Sequence, residues 1–403
     1  MVATISGRVV ELVRGKKYKI IIEAGRHPET GQRHRKVRTV NGRKPEAESV
    51  MAKLILELEQ GTYIEPSRET VAEYLRHWLK TYAINKAPST YNGYQRIVKR
   101  HIIPNLGHIP LTRLQPMHIQ EYYTSRLQEG RLDGKGGLSA NSVIRHHALL
   151  REALKHAVGW KKRYDNPADN VKPPSPEEAE IHPLEPDQLD HLLATAAGDR
   201  NEYLYIVAAH SGMRQGELLA LTWADVNLGK KSACRVRQTV GYIPKKGFVF
   251  RPTAKSKKAR REIPQFDVAV EALKKQRQML LEEQLKNGPK HDKKFNLVFP
   301  NPIGKPMDPS DLTRRFKLVA EAAGFPDTRF HDLRHTHATM LLKMGIHPKI
   351  VQERLGHQTI GMTMDRYSHV IESMQWDMVD QVNKYHADRN GTKAAPEHEK
   401  GHP

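Results

Sequence analysis

The chain has 403 residues, a formal charge of +21 at neutral pH and a hydrophobic fraction of 38%. This length predicts two or three domains, and the charge excess fits a polyanionic partner, foremost nucleic acid. No stretch approaches 18 apolar residues, no secretory leader opens the chain, and the lone Cys234 rules out an internal disulfide or a cysteine zinc cluster. A cytoplasmic, nucleoid-associated protein is therefore expected, and a cationic membrane-surface protein is the disfavoured rival.

Residues 1–62 read as a small unit of their own. Gly7 to Val13, Lys17 to Ala24 and Arg33 to Val40 alternate apolar and polar residues as strands do, with turns at Arg14-Gly15-Lys16 and at the Gly/Pro-rich Gly25 to Gln32. A helix over Pro45 to Gln60 follows, with Val50, Leu54, Ile55 and Leu58 on one stripe and Gly61 as its stop. The strands are basic. Lys17, Lys19, Arg35, Lys36 and Arg38 are candidate DNA-binding residues, because a short β-ribbon can enter a major groove. The plainer alternative is a solvated face.

Residues 66–164 read as all helix. Thr70 and Glu73 form a capping box ahead of Val71, Tyr74, Leu75, Trp78, Leu79 and Tyr82 at helical spacing. Ser89 is expected to cap a second helix reaching Ile103, a third spans Gln115 to Gln128, and Ser139 opens a fourth that carries Val143, Leu149, Leu150, Leu154 and Val158. The aromatic stripes are read as core. The positive residues Arg96, Lys99, Arg100, His101, Arg145, Lys155, Lys161, Lys162 and Arg163 are read as exposed. Lys99, Arg100 and Arg145 are the phosphate-contact candidates carried forward. Residues 165–186 hold six prolines and read as an extended linker.

Residues 187–388 show a mixed pattern. Helices are expected at Gln188 to Ala197, Tyr203 to Ser211, Gln215 to Leu221, Val268 to Lys286, Pro309 to Ala323, His335 to Lys343, Pro348 to Leu355, Thr363 to Tyr367 and Glu372 to Lys384. Strands are expected at Ser232 to Thr239, Gly247 to Arg251 and Arg261 to Pro264. Residues 389–403 read as a disordered tail. The fold expected is multidomain: a small three-stranded sheet plus helix, an all-α domain, and a mixed, mainly α domain.

The chemistry concentrates in Phe330 to His369. His331 and Arg334 lie three residues apart, Leu355-Gly356-His357 follows, and Tyr367 comes after a short polar stretch. Upstream stands His210-Ser211-Gly212-Met213-Arg214-Gln215-Gly216-Glu217-Leu218. A tyrosine is a poor nucleophile at its ordinary pKa near 10, so it needs a base and a positive field. Arginine pairs suit phosphoryl transfer because each presents a planar fork that stays charged. A zinc reading of His331, His335 and His337 is weak, since no H-E-x-x-H motif accompanies them. With 22 histidines in the chain, His335, His337 and His369 are set aside as structural.

These pieces, in this order, resemble the tyrosine recombinase (phage integrase) family. The resemblance implies a catalytic set of Arg214, Lys255, His331, Arg334, His357 and Tyr367. Tyr367 is the implied nucleophile, forming a 3′-phosphotyrosyl bond and releasing a 5′ hydroxyl. Lys255 is the implied general acid, on a hairpin where Lys257 is the alternative. His331 either takes a proton from Tyr367 or orients the phosphate, and His357 adds a hydrogen bond to a phosphate oxygen. Glu217 resembles the family's acidic residue and is assigned an orienting role behind Arg214. The N-terminal sheet is similar to the arm-type DNA-binding domain of some integrases, and residues 66–164 match the helical core-binding domain in length and position.

The implied function is site-specific recombination that integrates and excises a mobile element, with no metal or other cofactor. The partners implied are duplex DNA attachment sites, a homotetramer on DNA, an excisionase and a host DNA-bending protein. The helix expected at Glu372 to Lys384 packs either on a neighbouring subunit or on its own domain. The competing readings are a type IB topoisomerase and a non-catalytic DNA-binding regulator.

Overall fold

The computed structural model describes residues 5–26, 33–60, 63, 67–177, 183–244, 246–253, 260–367, 378–379 and 382–387. The chain divides into two compact units, Met1–Glu178 and Ala179–Pro403.

The first unit opens with an antiparallel sheet of β1 (Ser6–Val13), β2 (Lys17–Arg26) and β3 (Arg33–Asn41), in that order. Helix α1 (Lys44–Glu59) covers one face, where Leu54 packs with Ile20 and Ile22. Strand alternation then divides the basic residues between the two faces. Val10 pairs with Lys19, and Lys17, Lys19 and Glu23 pair with Asn41, Thr39 and Arg35, so Lys17, Lys19 and Arg35 share the face away from α1. Lys36 and Arg38 pair with Ile22 and Ile20 and belong to the helix side. The five basic candidates do not form one surface.

Four longer helices follow with a core of their own: α2 (Val71–Thr81), α3 (Pro88–Ile97), then, after the short α4 (Ile103–Leu106), α5 (Pro116–Glu129) and α6 (Ala140–Gly159). The Thr70–Glu73 capping box forms as expected. Fully buried Trp78 stacks with Tyr82, Tyr94 and His156, so the aromatic stripe is core. Truncating such a residue costs about 3–5 kcal/mol.

Several expectations are corrected here. Helix α3 is capped at Ala87 with Pro88 in its first turn, not at Ser89. The turn Val98–Ile102 is π-helical, and the helix does not stop before Pro104, which stands in the first turn of α4. His101 and Arg163 are buried, not exposed. Arg163 donates to the Leu111 carbonyl and pairs with Asp165, and Lys162 pairs with Glu69. Lys99, Arg100 and Arg145 are exposed. Ala168 and Val171 sit in the helical core, so the proline-rich stretch begins as part of this unit.

The second unit is built around α8 (Glu202–Ser211), whose residues are buried nearly all round. After α7 (Pro186–Thr195) and α8 come the one-turn α9 (Gln215–Leu218) and the strands β4 (Val226–Asn227), β5 (Ala233–Val236), β6 (Gln238–Ile243), β7 (Gly247–Pro252) and β8 (Arg261–Pro264). These form a β4-β5-β8 sheet and a separate β6-β7 hairpin. The single strand expected over Ser232 to Thr239 is broken at Arg237, whose carbonyl accepts from the Thr253 amide and hydroxyl. Helices α10 (Asp267–Asn287), α11 (Pro309–Ala322), α12 (Asp332–Lys343), α13 (Pro348–Leu355) and α14 (Gly361–Arg366) complete the unit. Tyr205, Phe316 and Phe330 meet edge-on or tilted and fix the start of α12 against α8 and α11. The Asp332 carboxylate, bonded to the Arg329 backbone and guanidinium, closes that corner. His331 stands at the helix cap and is exposed, while Arg334 one turn on is buried, so the two differ in solvent access. Residues 378–379 and 382–387 are helical; the rest of the segment expected to form the last helix, His369 and the tail lie outside the described residues.

Candidate active site

A helix ends with carbonyls that lack partners inside the helix and carry the negative end of its dipole. At the end of α13 three successive carbonyls each receive an arginine. Arg261 Nε donates to the Arg354 carbonyl at 2.7 Å, Arg334 Nη2 to Leu355 at 2.7 Å, and Arg214 Nη2 to Gly356 at 3.2 Å. Arg334 Nη1 also donates to the Gly212 carbonyl at 2.5 Å. The two glycines in this cluster are required by their backbone. Gly212 and Gly356 sit at φ +64 and +67, and an added Cβ would meet His337 at 2.7 Å and Arg261 at 2.8 Å respectively.

This crowding of cations has consequences. Burial, reinforced by the neighbouring Arg214 guanidinium, brings the Arg334 pKa down to about 9. Arg334 remains charged at neutral pH, and an arriving anion would relieve its environment. Arg214 caps α9. Its amide and Nη1 both bond the Glu217 carboxylate at 2.9 Å, and its side chain is 42% exposed, so it is the accessible member of the pair. Glu217 is buried between Arg214 and Arg261. Burial alone would raise its pKa, but hydrogen bonds and charge from Arg261, and then Arg214, hold it down to about 2.

His357 follows Gly356. Its amide bonds the Gln352 carbonyl, its own carbonyl accepts from Gln352 Nε2, and its Nδ1 meets the buried Thr363 hydroxyl at 2.8 Å. The ring is thereby oriented beside the arginine cluster.

Tyr367 ends α14, its amide bonded to the Thr363 carbonyl. Its ring packs with Ala338, Leu341, Leu342, Val351 and Leu355 and is 1% exposed. Its hydroxyl meets His335 Nδ1 at 2.9 Å. His331 makes an edge-to-face contact with His335, ring centroids 5.0 Å apart. His335, set aside in the sequence, is thus the imidazole at the tyrosine hydroxyl. The available signal was its place one turn after His331. Tyr367 also lies close enough to Arg334 for its negative form to favour the guanidinium charge.

His337 is structural: buried, it accepts from Arg354 Nε at 2.9 Å, and burial pulls its pKa down to about 3. Arg354 also donates to the Pro264 and His210 carbonyls and lies 4.7 Å over Phe266, tying α13 to β8 and α8.

Lys255 and Lys257 lie outside the described residues, between β7 and β8. A pocket of about 510 Å³ among β5, β7 and β8 is lined by Arg235, Arg237, Arg251, Arg260 and Arg261. A groove of about 440 Å³ between β8 and α13 includes Arg260, Lys349 and His357. Among the described residues no three His, Cys, Asp or Glu side chains gather as a metal site, and no helix is long and apolar enough to cross a membrane.

Comparison with known proteins is consistent across the chain. Residues 183–374 match the phage integrase family, and residues 70–127 match the phage integrase N-terminal SAM-like domain; the two matches together cover more than half of the sequence. A tyrosine recombinase XerC-like protein of Caldanaerobacter subterraneus is 28% identical over 386 residues, 92% of this chain and 96% of that protein. The Tn1549 transposon integrase, solved with a circular intermediate DNA, shares the fold with a TM-score of 0.64 at 21% identity, covering 78% of this chain and 99% of that one. A lambda integrase tetramer solved on a Holliday junction shares it with a TM-score of 0.54 at 18% identity, covering 91% and 95%. The chain belongs to the phage integrase family of tyrosine-type site-specific DNA recombinases.

Proposed function

We propose that this recombinase cuts and rejoins duplex DNA through Tyr367, integrating and excising a mobile element. The scissile phosphodiester would lie against Arg214, Arg334 and His357, whose donors neutralise charge on its non-bridging oxygens as the pentavalent state forms. Tyr367 Oη attacks phosphorus. His335 takes the phenolic proton, with His331 behind it, and the bond from phosphorus to the 5′ oxygen breaks. Lys255, or Lys257 in its place, gives that oxygen its proton. The products are a 3′-phosphotyrosyl link and a 5′ hydroxyl. A 5′ hydroxyl from a partner strand reverses the step, so the covalent link conserves the bond energy. Since the tyrosine hydroxyl is covered, binding of DNA must shift the six-residue α14 to expose it.

Exchange between two duplexes uses four active sites, hence a homotetramer on DNA attachment sites. An excisionase and a host DNA-bending protein are the expected accessory partners. Lys17, Lys19 and Arg35 on the open sheet face, and Lys99, Arg100 and Arg145 on the helical part, are proposed phosphate contacts. Lys36 and Arg38 would contact DNA only from the helix side of the sheet.

The observation that carries the reading is the convergence of arginines on the end of α13, beside a tyrosine hydroxyl held by an imidazole. The test is a nicked suicide duplex resolved on a denaturing gel. Wild type should leave a covalent protein–DNA adduct, and Tyr367→Phe should bind the duplex and leave none. An adduct from Tyr367→Phe would refute the assignment.

A further inference from the structure

We propose that Arg261, outside the catalytic set, is a positioning residue for cleavage: it fixes Arg214 through Glu217 and fixes the end of α13 that presents His357. The inference rests on the tyrosine-nucleophile reading above and deepens it.

Arg261 is the first residue of β8, and its side chain is only 7% exposed. Its two Nη atoms grip the two Glu217 oxygens at 3.1 and 2.8 Å. Those same oxygens carry Arg214: Oε1 accepts from its Nη1 and Oε2 from its amide, both at 2.9 Å. The third contact, Nε to the Arg354 carbonyl, reaches the helix end whose next two carbonyls hold Arg334 and Arg214. The guanidinium also underlies Gly356, the residue before His357. One planar fork therefore touches two of the elements that carry phosphate-binding groups, the start of α9 with Arg214 and the end of α13 with His357.

The charge balance supports the same role. Glu217 is one negative charge shared by two guanidinium groups. Without Arg261 the carboxylate would belong to Arg214 alone. It could then swing toward that side chain and draw it from the phosphate. With Arg261 in place the carboxylate is saturated on its buried side, and the exposed Arg214 is held at one position. Lysine cannot replace this contact, because a point donor cannot hold both carboxylate oxygens and a backbone carbonyl.

The experiment is single-turnover cleavage of the nicked duplex at saturating protein, with melting temperature and duplex affinity measured in parallel. R261K should fold and bind DNA like wild type while cleaving about 100-fold more slowly, the loss a small displacement of a phosphate ligand produces. R214K alone will be slow, and adding R261K to it should slow cleavage by much less than the R261K factor in wild type, because most of the effect of Arg261 passes through Arg214 and only the remainder through the end of α13. Should R261K fail to fold, E217Q/R261M leaves no buried carboxylate without its partner and should show the same rate loss. Cleavage by the folded variant within threefold of wild type would overturn the proposal. So would a double variant slower than R214K by the full R261K factor, which is what general loosening of the fold would give. If wild type forms the adduct and Tyr367→Phe does not, either result defeats only the role of Arg261; an adduct from Tyr367→Phe defeats the underlying reading instead.

Discussion

Glu217→Gln is the sharpest probe of the arginine cluster. The substitution keeps shape and removes the charge between Arg214 and Arg261. Its amide nitrogen cannot accept, so at least one guanidinium loses a bond and the two cations are left facing each other. Moving the Glu217 pKa from its ordinary 4.5 to about 2 is worth about 3 kcal/mol at neutral pH, at about 1.4 kcal/mol per pH unit. Breaking a buried ion pair from one side costs about 3–5 kcal/mol, which agrees. For a unit of this size that predicts a melting temperature about 6–12 °C lower. The sign in pH follows from a depressed folded pKa: the contribution is complete above about 4.5 and is lost as pH falls toward 2. Thermal melts of wild type and E217Q should therefore differ by a constant amount from pH 6 to 8 and converge below pH 4.5. A melting point within 1 °C of wild type at pH 7 would refute the electrostatic reasoning.

Other outcomes follow from the same geometry. His335→Gln should slow adduct formation by about 100-fold or more with duplex affinity intact; a change in melting temperature alone would return His335 to the core. His337 has a folded pKa of about 3 against an ordinary 6.5, so folding excludes a proton that the unfolded chain takes up as pH falls below 6.5. The loss amounts to about 2 kcal/mol at pH 5, and urea titrations at pH 7 and pH 5 should show that difference shrinking by this amount in His337→Gln. Lys255→Ala should be rescued by a substrate whose scissile bridging 5′ oxygen is sulfur, since a thiolate leaves without a proton; absence of rescue, or rescue of Lys257→Ala instead, would reassign the general acid.

The candidate motif was visible in the sequence because its pieces are short and local: His331 to Arg334, Leu355 to His357, then Tyr367, with Arg214 and Glu217 one turn apart. The helical core was legible for the same reason, through the Thr70–Glu73 box and the Trp78 stripe. The sequence hides what depends on long-range pairing. Arg261 is one of several basic residues in a row, and its partner Glu217 is 44 positions away. His335 looks like any of 22 histidines until α14 delivers Tyr367 to it. The break at Arg237 arises where Thr253 docks on its carbonyl, which no local propensity encodes.

The most direct measurement is the identity of the residue that carries DNA. Wild-type protein trapped on a nicked duplex would be digested with nuclease and protease and the nucleotide-bearing peptide sequenced by mass spectrometry. The account predicts a single phosphotyrosyl peptide containing Tyr367, linked to a 3′ nucleotide. A modified serine, a different tyrosine, or linkage through a 5′ phosphate would contradict it.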